Sequence, residues 1–287
     1  MNYEKFCEIL NKHIFKGEKK ELLKRIALNP ERFIGLFRPT KPGAKILQHL
    51  LQSHEIRMGD ALEEIIEELL KSFGYKILNK SISNENNEIL SLDQYFTNGK
   101  NYFFIEQKVR DDHDSSKKRG QISNFEEKLE ILSKKHGSNL IGILYFIDPD
   151  LTKNKRYYLQ EVNKLKEFYG IEIKLFYGKE LFDYLNKPEI WQDILSWLKK
   201  WKESLPEIPE INFDENPQET YEEIKTLEYS IWRKILENEI LWEEGIIKVL
   251  FREGKTLKLI LEFFKNQNDQ PSKHLYKLLT KRISKYY

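Results

Sequence analysis

The sequence has almost no cysteine and no long apolar run, and each absence excludes a class of protein. One cysteine, Cys7, in 287 residues excludes an intrachain disulfide framework and fits a reducing compartment. No stretch approaches the roughly 18 apolar residues that a membrane helix needs. The first residues do not resemble a signal peptide. We therefore expect a cytoplasmic protein with no membrane partner.

Zinc-binding and nucleotide-binding patterns are also missing. The six histidines and the lone cysteine do not show the spacing of zinc ligands. No G-x-x-x-x-G-K-[ST] phosphate loop occurs, so the use of ATP is not indicated. Lys and Arg number 48 and Asp and Glu number 46, which gives a net charge of +2. Any surface for a polyanion must therefore be a local basic patch.

The most informative segment is the apolar run Asn101–Val109, which ends in Glu106-Gln-Lys108. On a strand, Glu106 and Lys108 point to the same face, beside the core that the apolar residues predict. Asp93 stands upstream, and the Asn98-Gly99 dipeptide between them predicts a hairpin. Two acids and a lysine that converge suit a divalent metal that activates water for attack on a phosphodiester.

This arrangement resembles the PD-(D/E)xK nuclease superfamily, with Asp93 followed by Glu106-x-Lys108 on adjacent strands. The resemblance implies that Asp93 and Glu106 hold Mg²⁺, for which Mn²⁺ can substitute. It also implies that Lys108 orients or deprotonates the attacking water, or offsets charge on the phosphate. A lysine beside two carboxylates tends to stay protonated before a metal binds, which favours the electrostatic role.

Residues 57–75 predict an amphipathic helix ahead of the strands, with a C-cap at Gly74. The superfamily opens its core with such a helix, which often carries a basic residue, a glycine and a glutamate. Glu63, four residues after Gly59, matches that glutamate and is a third candidate for the metal and catalytic site. The alternative is that the helix simply exposes a solvated acidic face made of Glu63, Glu64, Glu67 and Glu68.

The remaining core elements follow in the order expected of this superfamily. Residues 139–147 predict a buried central strand, and residues 171–177 predict another strand. A helix is expected at 157–169, with an apolar side made of Leu159, Val162, Leu165 and Phe168. The resemblance covers roughly residues 55–187. It implies an α/β fold, a mixed sheet flanked by helices, with helical additions at both ends.

A dense polar segment continues from the strand that carries Lys108. It is similar to a stretch found after the active-site lysine in certain type II restriction endonucleases. As a loop, it would offer donors to phosphates and base edges: Arg110, His113, Lys117, Lys118, Arg119 and Gln121. Three acids, Asp111, Asp112 and Asp114, would orient the arginines, accept from cytosine or cap turns. The alternative is a solvated, mobile loop.

The chain divides into three expected segments. Residues 1–55 predict a helical N-terminal lobe, residues 56–204 the nuclease core, and residues 205–287 a proline-rich linker followed by a helical subdomain. Basic side chains in and just after the first segment are further candidates for contact with DNA: Arg38, Lys41 and Arg57.

These observations predict a type II restriction endonuclease that cleaves double-stranded DNA at a short specific site in a prokaryotic cytoplasm. One alternative is a repair or junction-resolving nuclease with the same core. Another is a non-catalytic DNA-binding or helical interaction protein, in which Glu106 and Lys108 form an ordinary ion pair. A homodimer is expected, since two-fold symmetry matches a palindrome. Four apolar residues are candidates for its exposed contact surface: Phe263, Phe264, Leu278 and Tyr286.

Overall fold

The computed structural model describes residues 1–35, 37–112 and 114–287. Their contacts form two compact units, the first made of residues 1–13 and 58–205, the second of residues 14–57 and 206–287. We call them the sheet-containing unit and the helical unit. The residues of the expected N-terminal segment are thus divided between the two units. None of the described helices is both long and apolar enough to span a bilayer.

Helices dominate the described chain. They are α1 (Tyr3–Ile14), α2 (Glu18–Leu28), α3 (Pro42–Ser72), α4 (Ser115–His136), α5 (Lys155–Tyr169), α6 (Glu180–Tyr184), α7 (Glu189–Glu203), α8 (Pro217–Ile224), α9 (Tyr229–Glu237), α10 (Glu239–Glu243), α11 (Ile246–Leu250), α12 (Lys255–Lys265) and α13 (Gln270–Tyr286). Short 3₁₀ turns occupy Pro30–Arg32 and Gly137–Asn139. The strands are β1 (Lys76–Ile77), β2 (Ser81–Ser83), β3 (Ile89–Ser91), β4 (Gln94–Thr97), β5 (Tyr102–Lys108), β6 (Leu140–Phe146) and β7 (Glu172–Tyr177).

The sheet-containing unit has a five-stranded mixed sheet in the order β1-β4-β5-β6-β7. The pairs β1–β4 and β4–β5 are antiparallel, whereas β5–β6 and β6–β7 are parallel. Parallel neighbours need a crossover, and α4 and α5 supply the two crossovers. Strands β2 and β3 form a separate hairpin. The predicted mixed sheet flanked by helices is therefore confirmed.

Every residue of the predicted central strand, β6, is buried, as its continuous apolar sequence predicts. Helix α4 covers the sheet, and the ring of Phe125 stacks on Phe104 of β5 with centroids 5.4 Å apart. Helix α5 faces the core through Tyr158, Val162 and Leu165. The predicted apolar side of this helix was wrong at its first and last residues. The buried stripe starts at Tyr158 and continues at i+4 and i+7. Two residues of the predicted side are consequently exposed: Leu159 and Phe168.

Gly142 in β6 gives a test of this packing. A Cβ there would lie 2.6 Å from Leu129 Cδ2 and 3.5 Å from Phe125 Cζ, both of them fully buried. We expect Gly142→Ala to lower the free energy of unfolding by about 1–3 kcal/mol through overpacking. Urea denaturation measures the change.

Gly120 in α4 is the matched control, since no atom lies within 4 Å of a Cβ placed there. Alanine at this helical position should raise stability by about 0.5–1 kcal/mol, because it restricts the unfolded chain. Equal effects of the two substitutions would contradict the packing of α4 on β6.

The helical unit has its own core, built around Trp232 and Phe264, whose rings meet edge-on at 5.7 Å. The expectation that the four candidate contact residues stay exposed was wrong for Phe264 and holds only in part for the other three. Phe264 is buried, and Phe263, Leu278 and Tyr286 are partly buried against this core. The end of the expected linker is also packed: Phe213 is buried, and Asp214 accepts from the backbone N–H groups of Glu253 and Thr256.

Candidate active site

The β4–β5 hairpin brings Asp93 to Glu106 and Lys108. Gln94 pairs with Ile105, so Asp93, directly before β4, lies beside the end of β5. The backbone N–H of Gln107 donates to Asp93 Oδ2 at 2.7 Å and ties the acid to the neighbouring strand. At the other end Gly99 turns with φ +91°, a conformation that favours glycine. The hairpin predicted from the Asn-Gly dipeptide is confirmed.

One ammonium group joins the two acids. Lys108 Nζ lies 2.7 Å from Glu106 Oε1 and 3.2 Å from Asp93 Oδ2. The side chain of Glu106 is 1% exposed, whereas those of Asp93 and Lys108 are 19% and 28% exposed. The cluster is therefore open to solvent on the side of Asp93 and Lys108 and closed behind Glu106.

The charge state of Lys108 follows from these neighbours. Burial lowers the pKa of Lys108, but the charges of Glu106 and Asp93 raise it, and the result is a pKa above the ordinary lysine value. The ammonium is therefore charged at neutral pH. Without a bound metal, it is thus a cation held between two carboxylates.

A second lysine, which the sequence analysis missed, completes the cluster. Lys128 of α4 donates to Glu106 Oε2 at 2.7 Å, and its side chain is 6% exposed. The helix buries Gln121, Phe125 and Leu132 together with Lys128. Their spacing of i, i+4, i+7 and i+11 is a core stripe, and this pattern is the signal that places Lys128 inside.

Glu63 lies near the cluster, but a different lysine binds it. Its carboxylate is 2.5 Å from Lys80 Nζ, and its backbone carbonyl accepts from Gln94 Nε2 at 2.8 Å. Burial raises the pKa of Glu63, and the charge of Asp93 raises it further, against the lowering effect of Lys80. Glu63 lines an acidic cavity of about 390 Å³ whose other lining residues are His13, Asp60, Glu64, Glu67, Glu68, Lys71 and Lys80.

The polar segment after β5 is largely helical, so the expectation of a loop through residue 121 was wrong. Asp114 caps α4 by accepting from the N–H groups of Ser116 and Lys117 at 3.0 and 2.9 Å. Lys117 and Arg119, in the first turns, are exposed. Lys118 is half-buried and donates to Asn154 Oδ1 at 3.3 Å.

Two residues of this segment are anchors within the fold. Gln121 was predicted to contact DNA, but it is buried and accepts a hydrogen bond from the Tyr158 hydroxyl, because it falls on the core stripe of α4. Asp111 is fully buried and accepts from the N–H of Asn154 and the hydroxyl of Tyr177 at 3.0 and 2.8 Å. These contacts exclude Asp111 and Gln121 from a free DNA-facing surface.

The other predicted DNA contacts lie in varied settings. Arg110 is half-buried next to Asp111, and His113 lies outside the described residues. Arg57 belongs to the helical unit, where its guanidinium donates to the carbonyl of Ile14 at 3.0 Å. Two exposed residues belong to the same unit, outside the unit that holds the carboxylates: Arg38 and Lys41.

The cluster fits a hard divalent cation. One oxygen of Glu106 and one of Asp93 contact the same Lys108 nitrogen, so both oxygens are within reach of one positive centre. Two carboxylates suit Mg²⁺, which takes one or two protein carboxylates and completes its shell with water and phosphate oxygens. Among the described residues, no three His, Cys, Asp or Glu side chains group as metal ligands. Asp93 and Glu106 are therefore a pair of candidate ligands in this cluster.

A mixed sheet with two acids and a lysine at the end of one hairpin fits the PD-(D/E)xK class of nucleases. A sequence comparison identifies one family within this class of nucleases. A family model described as "Type II restriction endonuclease, HinfI" matches residues 2–89 and 76–202, well over half of the chain. The chain belongs to the HinfI family of type II restriction endonucleases. No curated protein matches it significantly.

Membership in this family establishes the activity. The protein is a site-specific deoxyribonuclease that hydrolyses phosphodiester bonds in DNA at a defined sequence. Enzymes of this class generally use a divalent metal ion.

Proposed function

We propose that Asp93 and Glu106 hold Mg²⁺ and that Lys108 stabilises the charge that develops on the scissile phosphate. The observation that carries the proposal is the contact of one Lys108 nitrogen with an oxygen from each acid. Bound at these oxygens, the metal would lower the pKa of a water molecule and polarise the phosphate.

The side chains of the cluster have different roles in the proposed mechanism. Glu106 is fixed by burial, and Asp93 is held by the Gln107 amide, so both oxygens are oriented before DNA arrives. Lys108 is the more exposed cation of the cluster and carries its charge toward the solvent side, where a phosphate enters. The ammonium of Lys108 is charged before the metal binds, which favours a role in offsetting phosphate charge over a role in taking the proton of the water.

Glu63 has a supporting place in this mechanism. Its carbonyl holds Gln94, the residue after Asp93, and its carboxylate is engaged by Lys80. Lys80 binds Oε1 of this carboxylate, whereas Lys108 contacts one oxygen of each of the other two acids. We therefore restrict the proposed ligand set to Asp93 and Glu106.

Digestion of a sequenced plasmid tests the metal dependence and the reaction together. With Mg²⁺ we expect discrete fragments whose mapped ends share one short sequence, and with excess EDTA we expect none. Mn²⁺ added after EDTA should restore cutting. Cutting confined to branched DNA would instead indicate a junction-resolving nuclease, and full activity in EDTA would contradict the metal proposal.

The start of α4 is the proposed contact with the DNA backbone. Lys117 and Arg119 are exposed there, and cations near a helix N-terminus are disfavoured by the helix dipole. A phosphate at the same place would interact favourably with the dipole and with both side chains. The difference between these two interactions favours a role in contacting DNA over a segment of charged residues that is simply solvated.

Alanine variants of these cations test the contact. Lys117→Ala should weaken binding to all sequences alike and lower the slope of log K against log salt by about 1. Arg119→Ala should do the same if it meets phosphate, or cost roughly 1–3 kcal/mol at one base pair if it reads guanine. Fluorescence anisotropy over a salt series measures both, with Lys134→Ala at the end of α4 as control. Unchanged affinity and slope in both variants would remove this surface from the interface.

We further propose that two copies of the chain act together in a prokaryotic cytoplasm. A two-fold dimer cuts both strands of a palindrome with one arrangement of residues, because the symmetry of the protein matches that of the site. Sedimentation decides the assembly. A particle near the 34.6 kDa of one chain, both free and on its DNA site, would contradict the dimer.

A further inference from the structure

Glu106 is bound by a different lysine on each oxygen. Lys108 donates to Oε1 at 2.7 Å, and Lys128 donates to Oε2 at 2.7 Å. The side chain of Lys108 is 28% exposed, whereas that of Lys128 is only 6% exposed. The two oxygens therefore differ: one faces a cation at the open side of the cluster, and the other faces a cation fixed in the core.

Stability alone does not explain a buried lysine at this position. A desolvated ion pair is often no more stabilising than well-packed apolar side chains of similar volume. The neighbours of Lys128 on the same helix face, Phe125 and Leu132, are apolar and buried. The buried charge points instead to a requirement of the reaction.

We propose that Lys128 is a positioning residue for DNA cleavage, one that restrains Glu106 to a single-oxygen ligand and weakens the binding of the divalent metal. The inference rests on the proposed role of Glu106 as a metal ligand. Lys128 keeps Oε2 occupied, so Oε1 alone is offered at the side where Asp93 also presents an oxygen. Being buried, Lys128 touches neither the DNA nor the reacting atoms.

The charge of Lys128 has a second effect, because it lies beside a metal ligand and repels a cation bound there. Two charges a few ångströms apart interact strongly in a partly desolvated site, even at an effective dielectric constant of about 20. Removing the ammonium should therefore tighten metal binding by at least about tenfold. It should also free Glu106 Oε2 and shift the ligand from its productive place.

The experiment uses Lys128→Met, which keeps the length of the side chain and removes its charge. Calorimetry with Mn²⁺ and no DNA should give a dissociation constant at least about tenfold lower than that of the wild type. Single-turnover cleavage should be about 10–100-fold slower, because small misplacement of a reacting group is costly. KM for the DNA should not change. Lys134→Met, exposed on the same helix, is the control and should alter neither quantity.

A second variant separates the effect of the Lys128 charge from its effect on the position of Glu106. It also provides a test if the first variant does not fold. Lys128→Gln removes the charge but keeps a donor for Oε2. It should tighten Mn²⁺ binding to a similar extent and slow cleavage less than Lys128→Met. Unchanged or weaker Mn²⁺ binding in a folded Lys128 variant would overturn the proposal.

Glu106→Gln and Asp93→Asn show which assignment has failed. If both variants bind Mn²⁺ as the wild type does, the proposed ligands are wrong and the role of Lys128 falls with them. If both lose Mn²⁺ while Lys128→Met binds it unchanged, only the role of Lys128 is refuted.

Discussion

Replacing Asp93 by asparagine will abolish cleavage and leave specific DNA binding largely intact. The substitution removes a charged metal ligand, so we expect the rate with Mg²⁺ to fall by more than about 10³-fold. Asparagine keeps an oxygen that can accept from the Gln107 amide, as Asp93 Oδ2 does at 2.7 Å. The hairpin should therefore stay folded. Affinity for the site should hold or rise, because a negative charge facing the DNA is gone.

Two further variants control this result. Asp93→Ala should be equally inactive but less stable, because it leaves the buried amide of Gln107 without its acceptor, at a cost of about 1–3 kcal/mol. Asp183→Ala removes an exposed acid from α6 of the same unit and should cut normally. Cleavage by Asp93→Asn at the wild-type rate with Mg²⁺ would remove Asp93 from the active site.

Lys108→Ala should cut about 10²–10³-fold more slowly than the wild type, with the affinity for site DNA little changed. The expected loss is that of one preorganised charge that acts on the transition state. The fold should tolerate the change, because Lys128 still pairs with Glu106 at 2.7 Å. Single-turnover cleavage at saturating protein separates this loss of rate from any loss of binding.

The matched control is Lys100→Ala, an exposed lysine in the turn at the opposite end of the β4–β5 hairpin. It should keep full activity. A Lys108→Ala rate within a few-fold of the wild type would rule out the charge-stabilising role. Inactivity of both variants would point to damage to the hairpin.

The cluster of Asp93, Glu106 and Lys108 was predictable because its signals are local. The Asn98-Gly99 turn sets the hairpin, and a spacing of two puts Glu106 and Lys108 on one side of a strand. The buried strand β6 was equally predictable, because its sequence is an unbroken apolar run. In each case neighbouring residues determine the structure, so a short window of sequence is enough.

The burial of individual helix residues was harder to predict, because it depends on what each helix packs against. The residue type alone gives the wrong expectation at several positions. Lysine and glutamine are mostly exposed in proteins, so Lys128 and Gln121 were not expected inside α4. Both are buried because each finds a specific polar partner across the sheet and helices: Glu106 and Tyr158. Similarly, Phe264 was expected on a surface, yet it packs on Trp232 once the helices of its unit assemble.

The position of the three proposed catalytic residues within a single hairpin has a consequence for how the enzyme folds. Asp93 and Lys108 are 15 residues apart, so one short loop closure brings them together, at a small entropic cost. The parallel strands β6 and β7 need the longer crossovers through α4 and α5, which close more slowly. We expect the hairpin to form first, and Glu106 to acquire its second lysine, 22 residues away, when α4 packs on the hairpin.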